Sequence, residues 1–479
     1  MIRGGIWVLA LNLSRRGFEL IRTIVLARLL LPSDFGLFGI AGLAMSATDA
    51  FTGTGFHHAL VQKKGSVGGY LDTAWVVSGI RGLLLTGVVF LAAPLVATFF
   101  ENGQATAVLR VSAISLAVTG FSNIGIIYFQ KDLRFNRQIV LDFSVTFTSL
   151  AVGVTLAFVL RSVWALVYGS LAGAVVKFIL SYRLHPYRPK LHFNTAKARE
   201  LFGYGKWIFA SSVIWFLVLQ GDDIFVGKML GLTFLGFYQL AYRIANIPAT
   251  ELSTVITKVT FPAYAKLQDN MARLRDSFLK VLHLTAVVLF PLAAGIIVLA
   301  PDFTFVFLGS KWMPMVPAIK VLALGGLVRA IGVTTGAIFL GVGRPEISTR
   351  GQVARLFVLA VLIYPFTSRW GIVGTSFAVL LSSLATTIHF SIMALRIAQC
   401  PGLSFAKAIV LPLCGSGTMI WCINILRNTL NEIGFYEISL LICVGAFTYL
   451  TTMYLFHRFL GYQIKPLLKE CLASFNVQS

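Results

Sequence analysis

Two stretches decide how this chain folds. The first is Leu26-Ala27-Arg28-Leu29-Leu30-Leu31-Pro32-Ser33-Asp34-Phe35-Gly36-Leu37-Phe38; the second, 200 residues on, is Val226-Gly227-Lys228-Met229-Leu230-Gly231-Leu232-Thr233-Phe234-Leu235-Gly236-Phe237-Tyr238. In each, an apolar run ends near a basic residue, the chain turns, and a second apolar run starts at a glycine. Proline, serine and aspartate at Leu31-Pro32-Ser33-Asp34 are residues that start turns and end helices. The correspondence extends on both sides at the same offset: Gly5-Ile6-Trp7 with Gly205-Lys206-Trp207, and Ala41 with Ala241. Further on, Ala93-Pro94 resembles Ala300-Pro301, and Trp164 aligns with Trp370. The chain is an internal repeat.

Composition says what is repeated. Of 479 residues 57% are hydrophobic and only 12% charged, where a soluble globular chain carries about 25% charged residues. That cannot coat a water-soluble fold of this size, and it supplies apolar residues for about fourteen spans of about 20 residues each. Runs of that kind lie near 5–30, 36–60, 73–99, 108–129, 139–160 and 163–182, then 207–230, 235–261, 281–300, 317–341, 353–368, 371–395, 405–426 and 437–456. The reading is an all-α polytopic membrane protein of about fourteen transmembrane helices. Six spans separate the repeat copies, so both cross the membrane in the same sense. That makes a parallel repeat, with its axis along the membrane normal. The expected organisation is an N-terminal six-helix bundle over 1–182, a linker over 183–206, a second six-helix bundle over 207–399, and two extra helices with a tail over 400–479.

The balance of 40 Lys+Arg against 18 Asp+Glu, net +22, could signal nucleic acid. Here the cations are scattered between apolar runs rather than gathered in a basic domain, so no nucleic-acid partner is expected. They concentrate in alternate loops: Lys131, Arg134 and Arg137; Arg183 to Lys206; Lys266, Arg273, Arg275 and Lys280; Arg344, Arg350 and Arg355. The opposite loops hold scattered ones such as Arg110, Arg161, Lys311 and Arg369. The positive-inside rule makes the first set, the linker and both termini cytoplasmic. No small-residue cleavage site follows the first apolar run, so it reads as a span rather than a cleaved signal. The five cysteines, Cys400, Cys414, Cys422, Cys443 and Cys471, have no metal spacing and read as small apolar residues.

Charges within the spans are the functional signal. Arg15, Glu19 and Arg22 share one face of the first run at spacings of four and three. An arginine at the bilayer centre costs about 2.5–3.5 kcal/mol on insertion scales, so that face should look into a water-filled cavity. Where the first copy has Arg22-Thr23, the second has Asp222-Asp223, which could pair with Arg22 across such a cavity. Arg243, Glu251 and Lys258 lie along the eighth run. Arg15, Arg22, Arg243 and Lys258 are therefore the candidate cationic substrate-binding residues, and Asp222, Asp223 and Glu251 the candidate ion-coupling carboxylates. Lys177 and Arg329 read as buried pairs or side chains snorkelling to the interface. His57 and His58 lack ligand-spaced neighbours, so no metal site is expected. No phosphate-binding loop or nucleophile motif occurs, which excludes an ATP-driven pump within this chain. No cofactor and no enzymatic activity are expected.

The segment Leu26 to Gly36 resembles the first-loop signature of bacterial polysaccharide exporters of the Wzx type, in the multidrug/oligosaccharidyl-lipid/polysaccharide (MOP) flippase superfamily. Asp222-Asp223 with Val226-Gly227-Lys228, Leu235-Gly236-Phe237-Tyr238 with Ala241-Tyr242-Arg243, Phe261-Pro262-Ala263 and Lys131-Asp132-Leu133-Arg134-Phe135 read the same way. The likeness covers about residues 5–400 and is strongest to the colanic-acid-exporter branch. It implies two six-helix bundles forming a V in the inner membrane, opening alternately to each side. It also implies a function: moving an undecaprenyl-pyrophosphate-linked oligosaccharide from the cytoplasmic to the periplasmic leaflet, coupled to a proton or sodium ion. Arginine suits that substrate because its planar fork pairs bidentately with phosphate. A drug/cation antiporter of the same superfamily should favour a carboxylate-rich cavity. A membrane glycosyl polymerase or ligase usually needs a large periplasmic loop, and none is present here.

Overall fold

The computed structural model describes residues 17–52, 60, 67–132, 135–430 and 433–460, without the side chains of 201–211, Lys258 and a few others. Among them all regular structure is helical. Helix α1 covers 17–29. It is followed by α2 (Pro32–Thr52), α3 (Gly68–Phe99), α4 (Gln104–Gly120), α5 (Ile127–Lys131), α6 (Phe135–Leu160), α7 (Trp164–Leu184) and α8 (Thr195–Leu230). Then come α9 (Leu232–Leu267), α10 (Met271–Phe303), α11 (Val316–Gly341), α12 (Pro345–Ile397), α13 (Gly402–Thr429) and α14 (Phe435–Leu460).

Nine helices among the described residues are each long and apolar enough to cross a membrane, or ten if one bent pair counts as a span. The two 36-residue helices α8 and α9 are longer than a span requires and more polar. Many outward faces are wholly apolar: Leu91 and Leu95 on α3 are 79% and 74% exposed, and Phe357 on α12 is 70% exposed. Surfaces like these belong against lipid, since a protein in water rarely exposes large contiguous apolar patches.

Three local features show why the chain turns where it does. The fourth apolar run, read as one stretch over 108–129, is bent by 71° between α4 and the segment Ile124–Lys131. The cause is Asn123, fully buried at the bend. Its side chain accepts from the Gly125 N–H and donates to the Tyr187 carbonyl, and its backbone N–H donates to Ser181 Oγ. Helix α12 continues for 53 residues, but Trp370 and Gly371 inside it are non-helical. Gly371 has φ 55°, a conformation open to glycine at little steric cost. The break falls where the sequence placed the boundary between the runs 353–368 and 371–395. The polar stretch 183–206 is in part the start of α8, with Asn194 Oδ1 accepting from the Lys197 N–H as its N-cap.

The chain divides into two compact units, Met1–Gly236 and Phe237–Ser479. In the first, α3 packs on α4, α6 on α7, α4 on α7, and α2 on α4 and α8. The stretch after α7 docks on the start of α3. There Tyr187 Oη and the Lys190 N–H donate to Asp72, the Asn194 N–H to Thr73 Oγ1, and Lys197 Nζ to the Gly69 carbonyl. Burial, with Asp72 beside it, pushes the Tyr187 phenol well above its ordinary value.

The repeat is also visible in this unit. A methyl group on Gly36 would run into the Leu232 carbonyl oxygen, and one on Gly236 into the Pro32 carbonyl oxygen. Leu232 and Gly236 stand 200 residues on from Pro32 and Gly36, so the close approach is reciprocal. Only residues without a Cβ allow it.

In the second unit α10 packs on α11, α13 and α14, and α11 packs on α12. The α10–α11 seam is aliphatic, with Leu282, Ala286, Leu289, Phe290, Leu327 and Ala330 buried. The faces of α11 and α12 are small and hydroxylated. Thr387 Oγ1 donates to the Val328 carbonyl, and a methyl on Gly332 would crowd that same hydroxyl.

Candidate functional site

In the first unit, Asp34 of the Leu31-Pro32-Ser33-Asp34 turn has a structural role. One carboxylate oxygen accepts from the Leu31 N–H at 2.9 Å, closing the turn, and the other from the Val163 N–H at 3.1 Å, tying the turn to the start of α7. Helix α1 is held on α6 by Phe18, edge-on to Phe143 and Phe147. This positions Arg22, one turn along from Phe18, which is half-buried beside the buried Thr23. Asp222 is buried in α8 and Asp223 half-buried. Arg22, Asp222 and Asp223 thus belong to one compact unit. Arg15, His57 and His58 lie outside the described residues.

In the second unit Arg243 is exposed on α9, on the face that also exposes Ile247 and Thr250, and Glu251 is half-buried beside it. Lys258 lies further along α9, its side chain outside the described residues. The best-defined polar constellation centres on Arg329 of α11, which the sequence reading left as a snorkelling or paired charge. Its Nη1 donates to Tyr242 Oη at 2.6 Å, and its Nη2 donates to Asn246 Oδ1 at 2.9 Å and Thr250 Oγ1 at 3.2 Å. The guanidinium also stands 5.8 Å from the Tyr242 ring centre. The three acceptors stand four residues apart along α9, which puts them on one helix face. That polar stripe is readable in the sequence; its meeting with Arg329, 79 to 87 residues away, is not.

Other charges form ion pairs. Arg81 of α3 pairs with Asp49 of α2 at 2.8 Å and donates to Thr52. Lys228 at the end of α8 pairs with Glu101 at 2.7 Å. Arg427 at the end of α13 pairs with Asp302 at the end of α10 at 2.9 Å. Among the described residues no group of three His, Cys, Asp or Glu is placed to hold a metal. The four described cysteines are free: Cys400 is buried, Cys422 half-buried, and Cys414 and Cys443 exposed.

The chain as a whole resembles known proteins. The model of a family of polysaccharide biosynthesis proteins matches residues 25–317. The chain is 27% identical over 393 residues to the lipopolysaccharide biosynthesis protein WzxC of Escherichia coli K12, covering 81% of this chain and 79% of that one. It is 28% identical over 301 residues to the teichuronic acid biosynthesis protein TuaB of Bacillus subtilis, covering 61% of each. Its fold matches the lipid II flippase MurJ in an inward closed conformation with TM-score 0.75 at 15% identity, over 95% of this chain and 99% of that one. It also matches an inward-facing multidrug resistance transporter of the MATE family of the MOP superfamily, with TM-score 0.62 at 18% identity, over 80% of this chain and 95% of that one. With an all-helical fold among the described residues that matches these structures, and more than half of its length matched by one family model, this chain belongs to the family of polysaccharide biosynthesis proteins.

Proposed function

We propose that this chain is a flippase carrying an undecaprenyl-pyrophosphate-linked oligosaccharide from the cytoplasmic to the periplasmic leaflet of a bacterial inner membrane by ion-coupled alternating access. In this reading it has fourteen spans, both termini are cytoplasmic, and its halves are the two six-helix bundles of the repeat, followed by two extra helices. Arg15, Arg22, Arg243 and Lys258 line the cationic cavity and meet the pyrophosphate. Asp222, Asp223 and Glu251 are the carboxylates through which a proton or sodium ion couples. The observation that carries the reading is arginine on helices that this reading places in the membrane, Arg22 half-buried on α1 and Arg243 exposed on α9, in a family of polysaccharide biosynthesis proteins. Such cations are costly against lipid and suited to an anionic head group. A carrier of cationic drugs gains nothing from them, which sets the antiporter alternative behind.

The test is transport in vesicles holding the purified protein and a fluorescent undecaprenyl-pyrophosphate oligosaccharide, read by quenching from one side. Protein-dependent movement is expected. It should fall at least tenfold in Arg22→Ala and to an intermediate level in Arg22→Lys, because an ammonium lacks the two-pronged contact. Absence of lipid movement, with proton-driven exchange of a cationic dye in its place, overturns the reading in favour of an antiporter.

A further inference from the structure

Arg329 is the fourteenth of the 26 residues of α11, and so sits near the middle of a spanning helix. It is half-buried. Every partner its guanidinium has among the described residues is neutral: a phenol, an amide and a hydroxyl on α9. A guanidinium carries five N–H donors. Three are spent on these acceptors, which leaves Nε–H and one Nη1–H, and leaves the full positive charge uncompensated. The other cations are held differently: Arg81, Lys228 and Arg427 each meet a carboxylate, Arg81 from a similarly central position in α3. A structural tie between α9 and α11 needs no charge at mid-membrane, where arginine costs about 2.5–3.5 kcal/mol.

The surroundings point the same way. α11 is mostly buried, and Arg329 lies on the side where Val333 and Leu340 are exposed, while Lys320 and Leu324 open on the opposite side. Thr250, the outermost acceptor, is exposed on α9 beside the exposed Arg243. An arginine and a threonine exposed on the α9 face that meets Arg329 indicate water rather than lipid on that side.

We propose that Arg329 is an anion-binding residue near the membrane midplane that takes a phosphate oxygen of a pyrophosphate group, with Tyr242, Asn246 and Thr250 as the positioning residues that hold its guanidinium plane. The inference rests on the flippase reading for the source of the pyrophosphate and adds a contact on α11 to the residues assigned there. Neutral acceptors are what such a site needs. They fix the guanidinium without neutralising it, and Thr250 can yield its hydrogen bond when an oxyanion arrives.

Phenylglyoxal, which modifies free arginines, tests this on the wild-type protein in nanodiscs, with modification at each arginine read by mass spectrometry. Inorganic pyrophosphate and undecaprenyl pyrophosphate should each slow modification of Arg329 at least fivefold, and sulfate at equal ionic strength should not. Protection confined to the lipid assigns the site to the lipid-borne group, which also supports the proposal. Protection at Arg22 or Arg243 with none at Arg329 overturns the proposal and leaves the flippase reading standing. No protection at any arginine overturns both. In Arg329→Lys, which keeps the charge, the concentration of lipid-linked substrate giving half-maximal transport should rise about tenfold with maximal rate within twofold. Tyr242→Phe should raise it two- to threefold. An unchanged half-saturation in Arg329→Lys counts against the proposal.

Discussion

Arg329 and Arg427 are two arginines of the same compact unit, and their partners differ in kind. Arg329, mid-helix, is held by three neutral oxygens. Arg427, in the last turn of α13, is held by Asp302, whose side chain is only 7% exposed. The second arrangement is self-contained: the charges cancel, and Arg427 also faces the carbonyl end of its own helix, where a cation is favoured. The first arrangement keeps a cation oriented but uncancelled. The first unit shows the self-contained kind twice more, in Arg81–Asp49 and Lys228–Glu101, where the carboxylates are 67% and 78% exposed. The comparison predicts that removing the cation of a pair costs stability in proportion to the burial of its acid, and that Arg329, held by no acid, acts in binding as proposed above.

The sharpest way to break this comparison is Arg427→Met. It leaves Asp302 buried without its cation, and breaking a buried pair from one side costs about 3–5 kcal/mol. The folded protein recovered in detergent should fall steeply, and its melting temperature should drop. Asp302→Asn added to that variant should restore much of the loss, since the uncompensated charge is then gone. Arg329→Lys, by contrast, should leave the melting temperature nearly unchanged while altering substrate affinity. If Arg427→Met melts like wild type, acid burial does not rank these pairs.

Arg81→Met should have an intermediate effect. Arg81 is 29% exposed, and it holds both Asp49 and Thr52 at the end of α2. An exposed acid contributes little by itself, about 0–1 kcal/mol for a typical pair. The added bonds to Thr52 and the packing of the arginine stem bring the expected loss to about 1–2 kcal/mol. Thermal unfolding of the purified protein in one detergent orders Arg427→Met, Arg81→Met and wild type; any other order breaks the ranking.

Much of the fold is legible in the sequence, and the remainder has identifiable causes. The constant offset that aligned Gly36 with Gly236 marked the place where two backbones come too close for a Cβ. Arg369-Trp370-Gly371 marked the break in a 53-residue helix. These are local signals, carried by residues whose backbone demands show in their identity. The bend at Asn123 was missed because it depends on Ser181 and the Tyr187 carbonyl, about sixty residues on. Asn123, preceded by Ser122 and followed two residues on by Gly125, is a signal available for it. Arg329 was set aside for a related reason. Periodicity shows that Tyr242, Asn246 and Thr250 share a face, but which helix packs there is a tertiary fact. Asp34 is the opposite case: a residue in the most family-like segment whose work proved to be closing a turn.

The smallest effect expected is at Glu101, and its pH dependence gives the comparison a signed test. The residue lies between α3 and α4, outside the spans, in the left-handed region at φ 55°. The hydrogen bond from Lys228, and then the charge of that lysine, hold its carboxyl below the ordinary glutamate range. A carboxyl lowered in the folded state stabilises above its unfolded value, and that contribution is lost as pH falls through the folded one. Wild type should therefore exceed Glu101→Gln in melting temperature by a small constant amount at neutral pH. The difference should close as the medium is acidified below the ordinary glutamate range. It should also shrink in high salt, since the pair is open to solvent and screened. A gap that widens on acidification would reverse the sign. A gap as large as that of Arg427→Met would show that exposure of the acid does not set the scale.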